Sequence, residues 1–212
     1  MAGAGGDVDL AKVGSLLADR SRSRILLALA DGRCLPASML AGAHVGRLIE
    51  AVAAVAPAEE VRSLRAGNRA QAIRRARTCY DHLAGRLGVA ITESMSSRRW
   101  VDGLNGAWVP SLARAAGAED AVTAVLTPRG RRELADLGVS LPQADGIRCC
   151  VDWTEQRPHI AGAHGRALLD RLLALDWLRR AARSRAVHLT SEGRQGLSDV
   201  FGDHAVFAEF RA

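Results

Sequence analysis

Long apolar runs are missing from this chain. No stretch approaches the roughly 18 consecutive apolar residues that a membrane-spanning helix needs, so a helical span is excluded. The opening segment, Met1 to Lys12, has no basic region followed by an apolar core. It therefore does not read as a secretory signal, and a cytoplasmic location is expected. Cysteine is sparse: Cys34, Cys79, Cys149 and Cys150, at spacings unlike those of a secreted disulfide scaffold. In a reducing compartment these are expected to be thiols used for packing, metal binding or redox, and the vicinal Cys149-Cys150 pair is read as reduced. No glycine loop follows a strand to cradle phosphates, since Ala2 to Gly6 lies in a floppy terminus. No oxyanion-hole motif accompanies the Cys, His and Asp residues, which argues against a nucleophilic enzyme. Lysine is almost absent, Lys12 being the only one, so arginine carries nearly all of the positive charge.

What is present suits a soluble globular protein of one or two domains. The 212 residues are 48% hydrophobic and 25% charged, with a net charge of +6. A basic balance favours a polyanionic partner, although an Arg- and Ala-rich chain also follows from a GC-rich genome.

The strongest internal signal is a repeat. His82-x-Ala84-Gly85-x-x-Gly88 returns 77 residues later as His159-x-Ala161-Gly162-x-x-Gly165. Trp100-Val101 follows the first copy at the same interval as Trp177-Leu178 follows the second. Cys79-Tyr80-Asp81 is echoed by Cys150-Val151-Asp152, with six extra residues before the second His. Leu126-Thr127-x-x-Gly130-Arg131 is echoed by Leu189-Thr190-x-x-Gly193-Arg194. Matches in one order mark a duplicated unit, residues 78–139 and 148–200, with a linker between them around Pro142 and Gly146. In the first copy a helix at 89–97, a strand starting at Trp100-Val101, a looser insertion at 102–125 and a Thr127-capped helix with Pro128 at its first position are expected; in the second, a helix at 166–175, a β-hairpin and a Thr190-capped helix. The tail, with Phe201, Phe207 and Phe210, is expected to dock weakly or fray.

Ahead of the repeats, Leu10, Val13 and Leu17 recur at helical spacing. A second helix carries Ile25, Leu26 and Leu29 and stops at Asp31-Gly32, and a short helix follows at Pro36 to Leu40. The pattern Leu17-Ala18-Asp19-x-x-Arg22-x-x-Ile25-Leu26-x-x-Leu29, then Asp31-Gly32 and Leu35-Pro36-Ala37-Ser38-x-Leu40, resembles the opening of an ArsR-type winged helix-turn-helix repressor. The blocks RTCYDHLAGRLGVA and VDWTEQRPHIAGAHG resemble the long C-terminal region of larger members of that family. The resemblance implies a DNA-binding transcriptional regulator, not an enzyme, working as a homodimer. It also implies a mainly α, winged-helix-like fold with small β-hairpins: a truncated helix-turn-helix start (7–41), dimerisation and connecting helices (42–77), then two degenerate winged-helix-like repeats.

The chain departs from that family after Leu40. A recognition helix and a two-stranded wing need about 30 residues. Here Ala41 to His44 runs straight into Val45, Leu48, Ile49, Val52 and Val55, the next amphipathic helix. The base-reading element is expected to be missing. A competing reading is therefore an interaction protein that pairs with a full-length regulator, and another is a thiol- or metal-responsive oligomerisation module.

Two sets of site residues follow. Residues 61–77 carry Arg62, Arg65, Arg69, Arg74, Arg75 and Arg77 with no acid. With Arg22 and Arg24 they are the candidate phosphate contacts, the alternative being a solvated helix face. Cys79, Asp81 and His82 form one group, and Cys150, Asp152 and His159 a matching one. Thiolate, imidazole and carboxylate donors suit Zn or a similar transition metal, and the two groups could converge within the chain or across a dimer. Equally, the cysteines read as small buried apolar residues and the histidines as polar caps beside a glycine turn.

Overall fold

The computed structural model describes residues 64–104, 122–182 and 184–210. The ArsR-like opening, the helix expected at 45–55 and Arg22, Arg24 and Arg62 lie outside these residues. Among the described residues no helix is long and apolar enough to cross a membrane.

The basic run forms α1 (Leu64–Arg75) and ends where the chain turns into β1 (Arg77–Cys79) and β2 (His82–Ala84). Then come α2 (Gly85–Ser97), β3 (Val101–Asp102), β4 (Val122–Leu126) and α3 (Pro128–Asp136). The same succession follows again: β5 (Gly146–Val151), β6 (Pro158–Ala161), α4 (Gly162–Ala174), β7 (Leu178–Arg180), β8 (Val187–Leu189) and α5 (Ser191–Phe201). A short α6 (Ala205–Glu209) closes the described chain. Each copy is thus strand, strand, helix, strand, strand, helix.

Local chemistry accounts for the shared boundaries. Each central helix starts directly on a strand without a linker, which a residue at positive φ permits; Gly85 (φ +78°) and Gly162 (φ +63°) occupy those positions. Each ends in a left-handed residue, Arg99 or Asp176. The following tryptophan amide then closes the last turn, Trp100 N–H to Met95 O at 2.8 Å and Trp177 N–H to Leu172 O at 3.0 Å. Thr127 and Thr190 cap α3 and α5 by accepting from the Gly130 and Gly193 amides.

The copies do not fold side by side. β3 and β4 of the first copy pair with β5 and β6 of the second in one antiparallel four-stranded sheet. Reciprocally, the β7–β8 hairpin of the second copy meets β1–β2 of the first. An antiparallel bridge joins Arg77 to Ala186, flanked by Thr78 N–H to Arg185 O (2.8 Å) and Val187 N–H to Ala76 O (2.9 Å). Hairpins are therefore exchanged between copies, and α2 and α4 pack against the sheets so formed. One core runs through both, with Leu87, Ile91, Met95, Trp100, Ile147, Leu169, Leu172, Leu178, Phe201 and Phe207 fully buried. Trp100 of the first copy packs against Phe201 of the second, with ring centroids 5.4 Å apart and the planes tilted by 50°.

This corrects the mainly α, winged-helix-like expectation. The described residues are about 49% helix and 22% strand, six helices and eight strands in an α/β fold with three antiparallel sheets. The hairpin after each central helix is not a free wing; it is paired sideways to a hairpin of the other copy. The tail is also firmer than its composition suggests, since Phe207 is buried in the core and Glu209 pairs with Arg86 of α2 at 2.7 Å.

Candidate functional site

Exchange of the hairpins brings their chemically rich ends together. Cys79 closes β1 and His82 opens β2, and the two are direct cross-strand partners. Cys150 on β5 and His159 on β6 are direct partners in the second hairpin. Cross-strand partners project to the same face of a sheet, so each hairpin offers one thiol and one imidazole as a pair. Strand alternation sends the neighbouring Cys149 to the opposite face, where it packs against the core.

The two pairs converge. Imidazoles of His82 and His159 lie with centroids 5.2 Å apart, and their Nε2 atoms are 3.2 Å apart. One donor atom from each of Cys79, His82, Cys150 and His159 falls within 4.8 Å of all the others. Cys79, His82 and His159 are buried, and Cys150 is half-buried. Glycines make the approach possible: a Cβ on Gly165 of α4 would stand 2.9 Å from the His82 Cβ, so only glycine fits where α4 crosses the first hairpin.

Behind each imidazole stands a carboxylate. Asp81 Oδ1 is 3.0 Å from His82 Nδ1, and Asp152 Oδ2 is 3.6 Å from His159 Nδ1, beyond hydrogen-bond reach. Asp152 is completely buried and richly held. Its Oδ2 accepts from Arg77 Nη2 (3.0 Å) and from the Gly85 amide (2.6 Å). Its Oδ1 accepts from the Thr154 amide (2.9 Å) and hydroxyl (2.6 Å) and the Glu155 amide (3.2 Å). A carboxylate of the second copy thus sits on the first amide of α2, the helix of the first, where the dipole favours negative charge. The Arg77 guanidinium lies over the Trp153 ring, 5.0 Å from its centroid.

Electrostatics separate the two histidines. Burial alone would pull His82 down, but its hydrogen bonds to Asp81 and Cys79 prevail and raise its pKa to about 9. Burial and the neighbouring His82 push His159 down, against the pull of Asp152. Two imidazoles in van der Waals contact do not both hold a charge, so His82 is the protonated partner. Burial raises the Asp152 carboxyl, but the Arg77 charge and the Thr154 hydrogen bond outweigh it and keep Asp152 ionised.

Of the six residues expected to ligate a metal, four meet around one point, and Asp81 and Asp152 stand behind the histidines instead. The arginines divide. Arg65, Arg69, Arg74 and Arg75 fall on α1, with Arg74 and Arg75 exposed and Arg69 half-buried. Arg77 is not a phosphate contact: it has no exposed surface and is bound to Asp152. Its place beyond the helix end, in a strand, explains the difference. Thr92 is a residue that sequence reasoning passes over. From α2 its hydroxyl donates to Gly88 O (2.9 Å) and accepts from the Ile160 amide (3.1 Å), tying the helix to the second hairpin. Only its offset of four from Gly88 hints at this.

No protein-family model matches the chain, and no solved structure matches it. Among curated proteins it is similar to an uncharacterised HTH-type transcriptional regulator, YdfF, of Bacillus subtilis (strain 168). The two are 31% identical over 228 residues, covering 88% of this chain and 94% of the relative. Since 88% of 212 residues is about 187, about 40 of the 228 aligned positions hold no residue of this chain. A likeness that spans nearly all of the relative places this chain among regulators and not enzymes, and the chain belongs to the HTH-type transcriptional regulators.

Proposed function

We propose that the protein is a DNA-binding transcriptional regulator of the ArsR type, a repressor that works as a homodimer. The observation that carries this is the match over 94% of an HTH-type regulator. Two features support it: the resemblance of residues 17–40 to the opening of that family, and an acid-free basic helix, α1, with Arg74 and Arg75 exposed. Arginines on one helix neutralise phosphates and release counterions, which steers a protein to a duplex without reading its sequence.

The test is fluorescence anisotropy with the gene's own upstream duplex and a scrambled one, across a salt series. Tighter binding to the upstream duplex that persists at physiological salt supports a sequence-reading regulator. Equal, weak binding that disappears with salt contradicts it. Sedimentation of the same sample reads the homodimer.

A second reading has one observation in its favour. About 40 aligned positions have no residue here, which accords with a 33–56 stretch shorter than the roughly 30 residues that a recognition helix and its wing need. A chain that lacks this helix but can dimerise would pair with a full-length regulator and block its DNA binding. In that case the anisotropy experiment shows no base readout by the chain alone, and adding the chain weakens binding by the full-length regulator.

A further inference from the structure

We propose that Cys79, His82, Cys150 and His159 form a closed, tetrahedral zinc site that joins the two exchanged hairpins. The donor set points first to the ion. Two thiols and two imidazoles suit Zn²⁺, whereas Mg²⁺ and Ca²⁺ need oxygen ligands. The geometry agrees. Zn–N bonds of about 2.0–2.1 Å in a tetrahedron put two nitrogens about 3.3–3.4 Å apart, and the two Nε2 atoms stand 3.2 Å apart. All four donor atoms lie within 4.8 Å of one another, so small side-chain shifts bring them onto one ion.

The surroundings orient the donors as a metal requires. Asp81 holds Nδ1 of His82, and Asp152 faces Nδ1 of His159, which turns both Nε2 atoms inward. This carboxylate–histidine arrangement is the usual outer shell of a zinc-bound imidazole. Arg77, the Gly85 amide and Thr154 in turn fix Asp152. Nδ1 of His159 has no hydrogen-bond partner, although it is buried. Contraction around an ion would bring it toward Asp152 and complete the shell.

All four positions of the tetrahedron are filled by protein, which marks a structural site with no open position for a reacting water. On binding, both thiols give up their protons and both Nε2 atoms become free to ligate, so uptake releases protons. Each hairpin supplies one Cys–His pair, and the two hairpins belong to different copies of the repeat. The ion therefore staples the first hairpin to the second at the centre of their exchange. A site inside one chain needs one ion per chain, whatever the oligomeric state.

The test is metal analysis of the full-length protein, purified without chelators from zinc-supplemented culture, by inductively coupled plasma mass spectrometry. About one zinc per chain is expected. Cys79→Ser and Cys150→Ser should each drop below about a tenth of an equivalent, while Cys149→Ser, whose side chain faces the core, keeps the full complement. Should the serine variants fail to fold by circular dichroism, the wild type answers by itself. After metal removal, Co²⁺ should give the intense visible absorption of a tetrahedral site and the ultraviolet band of cobalt–thiolate bonds. Folded wild type without zinc and without that cobalt spectrum overturns the proposal. So does retention of zinc in both serine variants, or its equal loss in Cys149→Ser. A Cys79–Cys150 disulfide in freshly purified protein also overturns it, since it consumes both thiolates.

Discussion

His82 and His159 are separated by 77 residues, yet their Nε2 atoms face each other at 3.2 Å in the protein interior. Each is the opening histidine of the same sequence unit, and each is backed by an aspartate of its own copy. Exchange of hairpins explains how residues so distant meet, because each sheet is completed by the other copy.

Asp152→Asn tests what holds the second hairpin. The substitution leaves the Arg77 guanidinium buried without its counter-charge, which costs about 3–5 kcal/mol. Urea unfolding should show a matching fall in midpoint. A double-mutant cycle with Arg77→Met should recover part of that loss, since removing both partners leaves no orphan charge. An Asp152→Asn variant as stable as the wild type would mean that this pair contributes nothing to the fold.

Gly165→Ala tests the close approach of α4 to the first hairpin. The added Cβ would meet His82 Cβ at 2.9 Å and press on the Ile160 carbonyl. Overpacking of this kind costs about 1–3 kcal/mol. At Gly88 the equivalent contact to His159 Cβ is looser, 3.7 Å, although the Leu83 carbonyl is close. Gly165→Ala should therefore lower the melting temperature more than Gly88→Ala in the same thermal scan.

Phe207→Ala tests whether the tail is part of the core. Phe207 is fully buried, and its truncation should cost about 3–5 kcal/mol, as for other core aromatics. Phe210, only half-buried, should tolerate alanine with a much smaller change. Equal effects would place the tail outside the cooperative unit.

Arg74→Ala with Arg75→Ala tests the phosphate contacts. Both side chains are exposed on α1. If each contacts one phosphate, the double variant should reduce the salt slope of DNA binding by about two and weaken all duplexes alike. Arg77→Ala should act differently, by lowering stability, because its partner is Asp152 and not solvent.

Much of the site is legible in the residues themselves, because Cys-x-Asp repeated beside a histidine is uncommon chemistry in two registers. The Thr caps are legible too, since Thr-x-x-Gly places a hydroxyl over the third amide of a helix. The sheets are not. β1 and β2 have three residues each, too few for a period of two to show, and they carry Arg, Cys and His instead of alternating β-branched residues. Exchange between copies is invisible for another reason: repeat spacing reports that two units are alike, not which hairpin each sheet takes. Arg77 shows the same limit. In sequence it is the last of a basic run, and only Asp152, 75 residues on, makes it a core residue.

Native mass spectrometry of the full-length protein tests the shared site most directly, because it counts ions and chains in one spectrum. The account predicts one zinc for every chain, in monomer and dimer alike, with zinc lost in Cys79→Ser and in Cys150→Ser. A folded species that binds neither zinc nor added cobalt, or a dimer with one zinc shared between two chains, would contradict a site built from both hairpins of a single chain.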